Sequence, residues 1–324
     1  MRPPKRRGKR RRSKDKGPLR QNLEFAAVLS ALFLVRRMPG WMQRGLAALL
    51  GESILWCVPR RRRTALANLR VAFPEMAEDV RKRIARASCR SFILTGLEGA
   101  KHLHGFAPSR TREKAREISA GVEAVFERAR KHHEEAGGCI FVVPHLGNWE
   151  LLSHAATLAG IPLTITVRPL DNKRLEKYLF EMRSTSGHQI LSKRNALFHL
   201  REALRKGRSV GILADQHAGA QGVEVPFFGR PASTTTAPAV LALHFGRPIV
   251  LVTCLRRSGS YPYEAFLSGP IRPDPESDSR AEVERITAAV NRETEALVRM
   301  APGQYLWMHD RWKLVKGWAG KAGQ

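Results

Sequence analysis

Cysteine is scarce in this chain. Four occur in 324 residues, Cys57, Cys89, Cys139 and Cys254, with no CxxC and no other metal-ligand spacing. That scarcity excludes a disulfide scaffold or a zinc ribbon, and the apolar or helical context of each predicts buried, reduced thiols in a cytosolic domain. Glycine-rich fingerprints are missing too. No GxxxxGK[ST], GxGxxG or GxSxG occurs, which removes the phosphate loop, the dinucleotide fold and the serine-hydrolase elbow. Long apolar runs are also lacking. The first, 25–35, is 11 residues, about 16 Å of helix against a hydrocarbon core of roughly 30 Å. No small-residue cleavage site follows it, so neither a signal peptide nor a comfortable bilayer span is expected.

Acidic residues are nearly absent from the N-terminus. Residues 1–20 hold eleven Lys/Arg and, on the acidic side, Asp15 alone, a net +10 of the whole chain's +27. Such a stretch is too charged and too poor in apolar residues to fold, and reads as a disordered basic tail. Tails of this kind bind anionic lipid headgroups at roughly 1 kcal/mol per basic residue, or nucleic acid. An adjoining pair of apolar stretches, 25–35 and 46–58, separated by Pro39-Gly40 and carrying Trp41 and Trp56, resembles an interfacial helix pair. Region 21–58 is therefore expected to associate with a membrane, with the positive charge before it favouring a cytoplasmic N-terminus. An anionic membrane surface is the expected partner, not nucleic acid.

What is present supports a folded core: 43% of residues are apolar. From about residue 60 to 136 the pattern is helical, and Gly137-Gly138 closes it. Short apolar runs then alternate with helices. Strands are predicted at 139–144, 163–167, 209–214, 248–255 and 263–267, and helices at 149–158, 173–186, 196–206, 237–245 and 280–300. This alternation implies an α/β fold with a central mixed, largely parallel sheet flanked by helices, preceded by an N-terminal helical membrane-associating region.

Ligands of open α/β sheets bind beyond the carboxyl ends of the strands. In FVVPHLGNWELL (141–152) His145 stands at such an end, with Glu150 in the first turn of the next helix and Asn148 as its N-cap. A His followed five positions later by an acid should arise about once by chance at this composition, so position must carry the argument. Gly147 and the capped entry allow His145 to fold back towards Glu150, and a carboxylate on one imidazole nitrogen raises the basicity of the other. Asp215-Gln216-His217 follows the 209–214 strand and is a second candidate. The loop 218–238 after it is rich in Gly and Pro, and Phe227 and Phe228 within it are expected to line a slot for an acyl chain. Arg168 follows a third strand, and Arg183 lies further on; arginines near a catalytic His recognise phosphate or stabilise an oxyanion. His102/His104 and His132/His133 have no acidic or Cys partner at a metal spacing and read as helix-surface residues.

Taken in order, ANLRVAFPE (67–75), PHLGNWE (144–150), VRP…N…R…G (167–187) and ADQ…VPFFGRPASTTTAP (214–238), closed by PGQYLWMHDRWK (302–313), resemble the lipid A biosynthesis (late) acyltransferases. These belong to the lysophospholipid acyltransferase superfamily with its HX4D/E motif. The resemblance runs from about residue 22 to 315 and makes 59–318 the acyltransferase domain. It implies His145 as general base with Glu150 as its partner, Arg183 as a charge-stabilising residue, and Asp215 as a site-shaping residue on the opposite strand end. Asn148, Arg168, Gln216, Phe227 and Phe228 complete the expected substrate site. The implied reaction moves a fatty acyl group from acyl carrier protein or acyl-CoA to a hydroxyl of a glycolipid at the inner membrane, without metal or cofactor. Related acceptors, a lysophospholipid, phosphatidylinositol mannoside or aminolipid, fit the same residues, and a non-catalytic basic membrane- or nucleic-acid-binding protein is the competing class.

Overall fold

In a computed structural model of the chain, residues 17–102, 122–167, 169–184, 188–192, 195–258 and 263–313 are described. Four helices come first: α1 (Pro18–Arg37), α2 (Gly40–Cys57), α3 (Pro59–Ala72) and α4 (Glu78–His102). Proline at the start of α1 and α3 costs nothing, since the first helical amides have no partner to lose. Helix α5 (Val122–Ala136) then leads into the alternating half: β1 (Ile140–Val142), α6 (Trp149–Leu158), β2 (Leu163–Val167), α7 (Lys173–Ser184), β3 (Gln189–Ser192), α8 (Ala196–Arg205) and β4 (Ser209–Ile212). A hairpin of β5 (Val223–Phe227) and β6 (Arg230–Thr234) follows, then α9 (Ala237–Phe245), β7 (Ile249–Arg256), β8 (Tyr263–Ile271) and α10 (Ser279–Met300).

Six strands form one sheet in the order β3-β2-β4-β1-β7-β8, and every pairing in it is parallel except that of β7 with β8. This is the mixed, largely parallel sheet that the pattern predicts. Strand β1 lies between β4 and β7, so the segments leaving β1 and β4 emerge side by side.

Alternation along β1 divides the interior. Ile140 and Val142 face a core built from α3, α4, α8, α9, α10 and the hairpin, whereas Phe141 faces a second core beneath α5 and α6. Helix α10 covers the first core with Ile286, Val290 and Leu297, and its N-cap Asp278 accepts from the amides of Arg280 and Ala281.

Three expectations need correction. Segment 218–238 is largely an antiparallel hairpin, turned at Phe228 and Gly229, both with positive φ (49° and 69°), rather than an open loop. Cys57 is exposed, while Cys89, Cys139 and Cys254 are buried as expected and burial pushes their thiols up to about 12. His133 is half-buried and bonds Ser209 Oγ at 2.9 Å, so it is not a plain surface residue. The basic tail lies outside the described residues up to position 16.

Among the described residues no helix is long and apolar enough to cross a membrane. Helix α1 buries no residue fully, and its outer face carries Leu19 and Leu23, 72% and 64% exposed. Trp41, Leu49 and Trp56 of α2 are exposed as well.

Candidate active site

His145 leaves β1 on a six-residue link, 143–148, that is clamped from three sides. The Asn148 amide donates to the Cys254 carbonyl of β7 at 2.7 Å and the Gly147 amide to the Gln304 carbonyl at 3.1 Å. The Leu306 amide donates back to the His145 carbonyl, also at 3.1 Å. Gly147 has φ of 65°, and a Cβ there would run into the Cys254 carbonyl oxygen. Only glycine fits that approach.

Asp215, at the end of β4, supplies the carboxylate that holds the imidazole. Its Oδ1 lies 2.7 Å from His145 Nδ1, and its Oδ2 accepts the His145 amide at 2.7 Å. A carboxylate only accepts, so the Nδ1 proton points at Asp215 and the lone pair is left on Nε2. Burial pushes the Asp215 carboxyl up, but the His145 ring, two hydrogen bonds from His145 and the Arg311 charge outweigh it and hold the group below the ordinary carboxylate range. Gln216 Nε2 lies 3.3 Å from His145 Nε2 on the exposed side, and the Trp149 ring meets the imidazole edge-on at 5.2 Å.

Glu150, in the first turn of α6, lines the same opening as His145. Behind that opening lies an apolar cavity of about 240 Å³ between the sheet and helices α5 and α6. Phe126 and Ala129 of α5, Ala156 of α6 and Phe141, Ile165 and Gly211 of the sheet form its walls.

Asn148 caps α6, accepting the Leu151 amide at 3.4 Å, but its fully buried amide nitrogen donates inward to Glu98 (2.8 Å) and the Tyr263 hydroxyl (3.2 Å). It holds the loop rather than presenting a group to a ligand. Phe227 and Phe228 do not line the cavity: they are buried in the core on the other face of the sheet, against Phe73, Trp307 and Trp312. The apolar slot lies elsewhere because β1 alternates, and only its Phe141 side opens beneath α6. Arg183 sits in the last turns of α7, and Arg168 lies outside the described residues.

Two groups of supporting residues had no assigned part in the sequence pattern. Glu98 of α4 takes both the Nε (2.9 Å) and an Nη of Arg256 (2.6 Å), and Arg256 also donates to Ser91 (2.9 Å) and Thr95 (2.7 Å). Thr95 in turn donates to the Gly147 carbonyl at 2.9 Å. From the closing segment, His309 Nε2 accepts the His217 amide at 3.0 Å, and the buried Arg311 donates to Ser233 O and Thr234 Oγ1 at 2.7 and 2.6 Å. The run PGQYLWMHDRWK signalled that this segment mattered, but nothing in its pattern says it packs behind Asp215.

A carboxylate-paired imidazole at the carboxyl ends of adjacent parallel strands, opening on an apolar cavity, suits transfer chemistry on an amphiphile. The family model for bacterial lipid A biosynthesis acyltransferases matches residues 14–314. The chain belongs to this family. As a lipid A acyltransferase it is 25% identical over 287 residues to the lipid A biosynthesis palmitoleoyltransferase of Escherichia coli K12, covering 88% of this chain and 89% of that one. It is 26% identical to the lauroyltransferase of the same organism, over 88% and 90% of the two chains. A phosphatidylinositol mannoside acyltransferase of Mycolicibacterium smegmatis shares 24% identity over 54% of this chain and 57% of its own.

Proposed function

We propose that this acyltransferase takes a fatty acyl group from a thioester, acyl carrier protein or acyl-CoA, and places it on a hydroxyl of a lipid A precursor or related glycolipid, with His145 as general base. The observation that supports this most is the 2.7 Å contact between His145 Nδ1 and Asp215 at the mouth of the apolar cavity. In this reading the acyl chain lies in the cavity and the thioester carbonyl stops beside the imidazole. Nε2 takes the proton of the acceptor hydroxyl as its oxygen attacks the carbonyl carbon, and Asp215 stabilises the imidazolium that forms. Collapse of the tetrahedral intermediate breaks the C–S bond, and the thiolate leaves with the proton from Nε2.

The oxyanion needs donors. Gly147 and Asn148 amides are committed elsewhere, so the Trp149 amide at the start of α6 is the backbone donor of this reading, with Arg183 as the charged one. Because Asp215 takes Nδ1, Glu150 works from the substrate side, orienting the acceptor. Arg168 and Gln216 bind the acceptor's polar groups.

The enzyme acts at the cytoplasmic face of the inner membrane, held by the apolar faces of α1 and α2 and by the basic tail. Helix α1 is apolar outside as well as inside, which fits a lipid surface better than water.

Acyl transfer from labelled acyl carrier protein and from acyl-CoA to a membrane lipid extract tests the proposal. His145→Ala should lose at least about 10²-fold in rate with an unchanged circular dichroism spectrum. Full activity in that folded variant overturns the mechanism. Mass spectrometry of lipids from a deletion strain identifies the acceptor as the species that loses one acyl chain.

A further inference from the structure

Helices α2, α3 and α4 enclose a groove of about 510 Å³ that acyl transfer does not use. Its floor is apolar, with Leu55 and Ala85 buried at the bottom. Its rim holds four cations, Arg62, Arg70, Lys82 and Arg86, against two carboxylates, Glu52 and Glu78. The carboxylates are already engaged: Glu78 takes Arg70 at 2.6 Å and Glu52 takes Arg86 at 3.5 Å. Among the described residues Arg62 and Lys82 form no ion pair, so the groove has two uncompensated positive charges over an apolar floor. Trp56, 70% exposed, stands at its edge and continues into the exposed apolar face of α2.

We propose that this groove binds the phosphodiester headgroup of an anionic membrane phospholipid, with the acyl chains passing Trp56 onto the outer face of α2. The phosphate sits between Arg62 and Lys82, which supply charge-assisted hydrogen bonds. Tryptophan at the headgroup level is the usual neighbour of such a contact. An acidic protein surface is a poorer fit, because it would meet Glu52 and Glu78 and leave the apolar floor and Trp56 uncovered. The site rests on the membrane-bound reading above, and it gives that reading a point of attachment. Helix α3 carries it inward: Arg61 donates to the Met308 carbonyl at 3.1 Å, and Asn68 to those of Trp307 (2.8 Å) and His309 (2.6 Å), in the segment behind Asp215.

Native mass spectrometry of the full-length protein, released from detergent micelles holding equal phosphatidylglycerol and phosphatidylcholine, tests it. Wild type should retain one phosphatidylglycerol in preference to phosphatidylcholine, at about fivefold per uncompensated basic residue. Arg62→Glu with Lys82→Glu should abolish the preference, whereas the charge-matched pair Arg205→Glu with Lys206→Glu at the C-terminal end of α8 should keep it; both pairs are exposed, so both variants fold. A preference that survives the first pair, or falls equally with the second, overturns the site. So does displacement of the lipid by millimolar inorganic phosphate, which would assign the groove to free phosphate. Loss of acyl carrier protein binding with the lipid adduct unchanged would make it a protein-docking groove and overturns it too. Flotation on phosphatidylcholine vesicles separates the two readings: wild type and groove variant should both float through α1 and α2, and failure of wild type to float would instead sink the membrane reading.

Discussion

In the proposed mechanism Asp215 contributes to His145 what the imidazole cannot supply for itself: a fixed tautomer, a fixed ring plane and a counter-charge when Nε2 takes a proton. Its two oxygens grip ring and backbone together, each at 2.7 Å. Asp215→Asn keeps the shape but loses the negative charge and obliges an amide to serve both contacts. The variant should fold, and kcat should fall by about 10²- to 10⁴-fold with KM little changed; an unchanged kcat would remove Asp215 from the mechanism. The cavity wall gives a second residue-scale expectation. Ala156 is buried and lines the cavity under α6, so Ala156→Phe should shift donor preference towards shorter acyl chains, measured with a series of acyl thioesters, while leaving the rate on the shortest donor intact. Loss of all donors alike would mean that the chain does not run past Ala156. His145 was legible in the sequence because it ends an apolar run before a capped helix. Its pairing with Asp215 was not, because 70 positions separate them and only the β1–β4 pairing makes them neighbours.

At the level of elements, the link from β1 to α6 is rigid because β7, α4 and the closing segment each hold at least one of its backbone groups. Gly147→Ala places a β-carbon against the Cys254 carbonyl in a left-handed conformation, so both strain and collision oppose it. Destabilisation of at least about 1–3 kcal/mol is expected, with activity lost in whatever remains folded; thermal melts and acyl transfer measure the two. The Arg256–Glu98 pair behind the link has side chains only 14% exposed. Glu98→Ala leaves a largely buried guanidinium without its carboxylate and should cost up to about 3 kcal/mol, whereas removing both charges, Glu98→Leu with Arg256→Met, should recover much of it. Urea melts of the single and double variants decide this, and equal losses in both would show that the pair acts through packing alone. Elements bounded by turn residues were legible: α6, β2 and α9 have the bounds that periodicity predicts. The hairpin β5–β6 was hidden because its Gly and Pro residues read as loop, although Phe227 pairs with Arg230 across a two-residue turn. Strand β3, four residues long, is too short to show a period.

Over the whole molecule, the unequal distribution of apolar and charged residues sets both which faces stay apolar outside and how the protein answers to pH. The parallel sheet was legible because each buried strand is a short apolar run between helices. The exposed apolar surface of α1 was legible only in part, since the packing of α1 on α4 and α7 decides which apolar residues remain outside. Excess positive charge, +27 in all, also reaches the part-buried histidines. His132, His133, His217 and His309 are each pushed below the ordinary value of 6.5, in every case chiefly by burial and further by neighbouring cations such as Arg247, Arg272 and Arg311. A histidine with a lowered folded value binds its proton more readily when unfolded, so stability is full above 6.5 and declines as the pH drops from there towards the folded values. Asp215 has the same sign in a lower window: its stabilisation is present above the ordinary 3.8 and is lost only as pH falls through its lower folded value. Between about pH 7.5 and 5 the histidines therefore dominate, and Tm should fall steadily on acidification in that interval. His133→Gln with His132→Gln, which removes two of the four groups, should flatten the slope. A Tm that stays level or rises from pH 7.5 to about 5 would show that these imidazoles take up protons in the folded state as easily as in the unfolded chain.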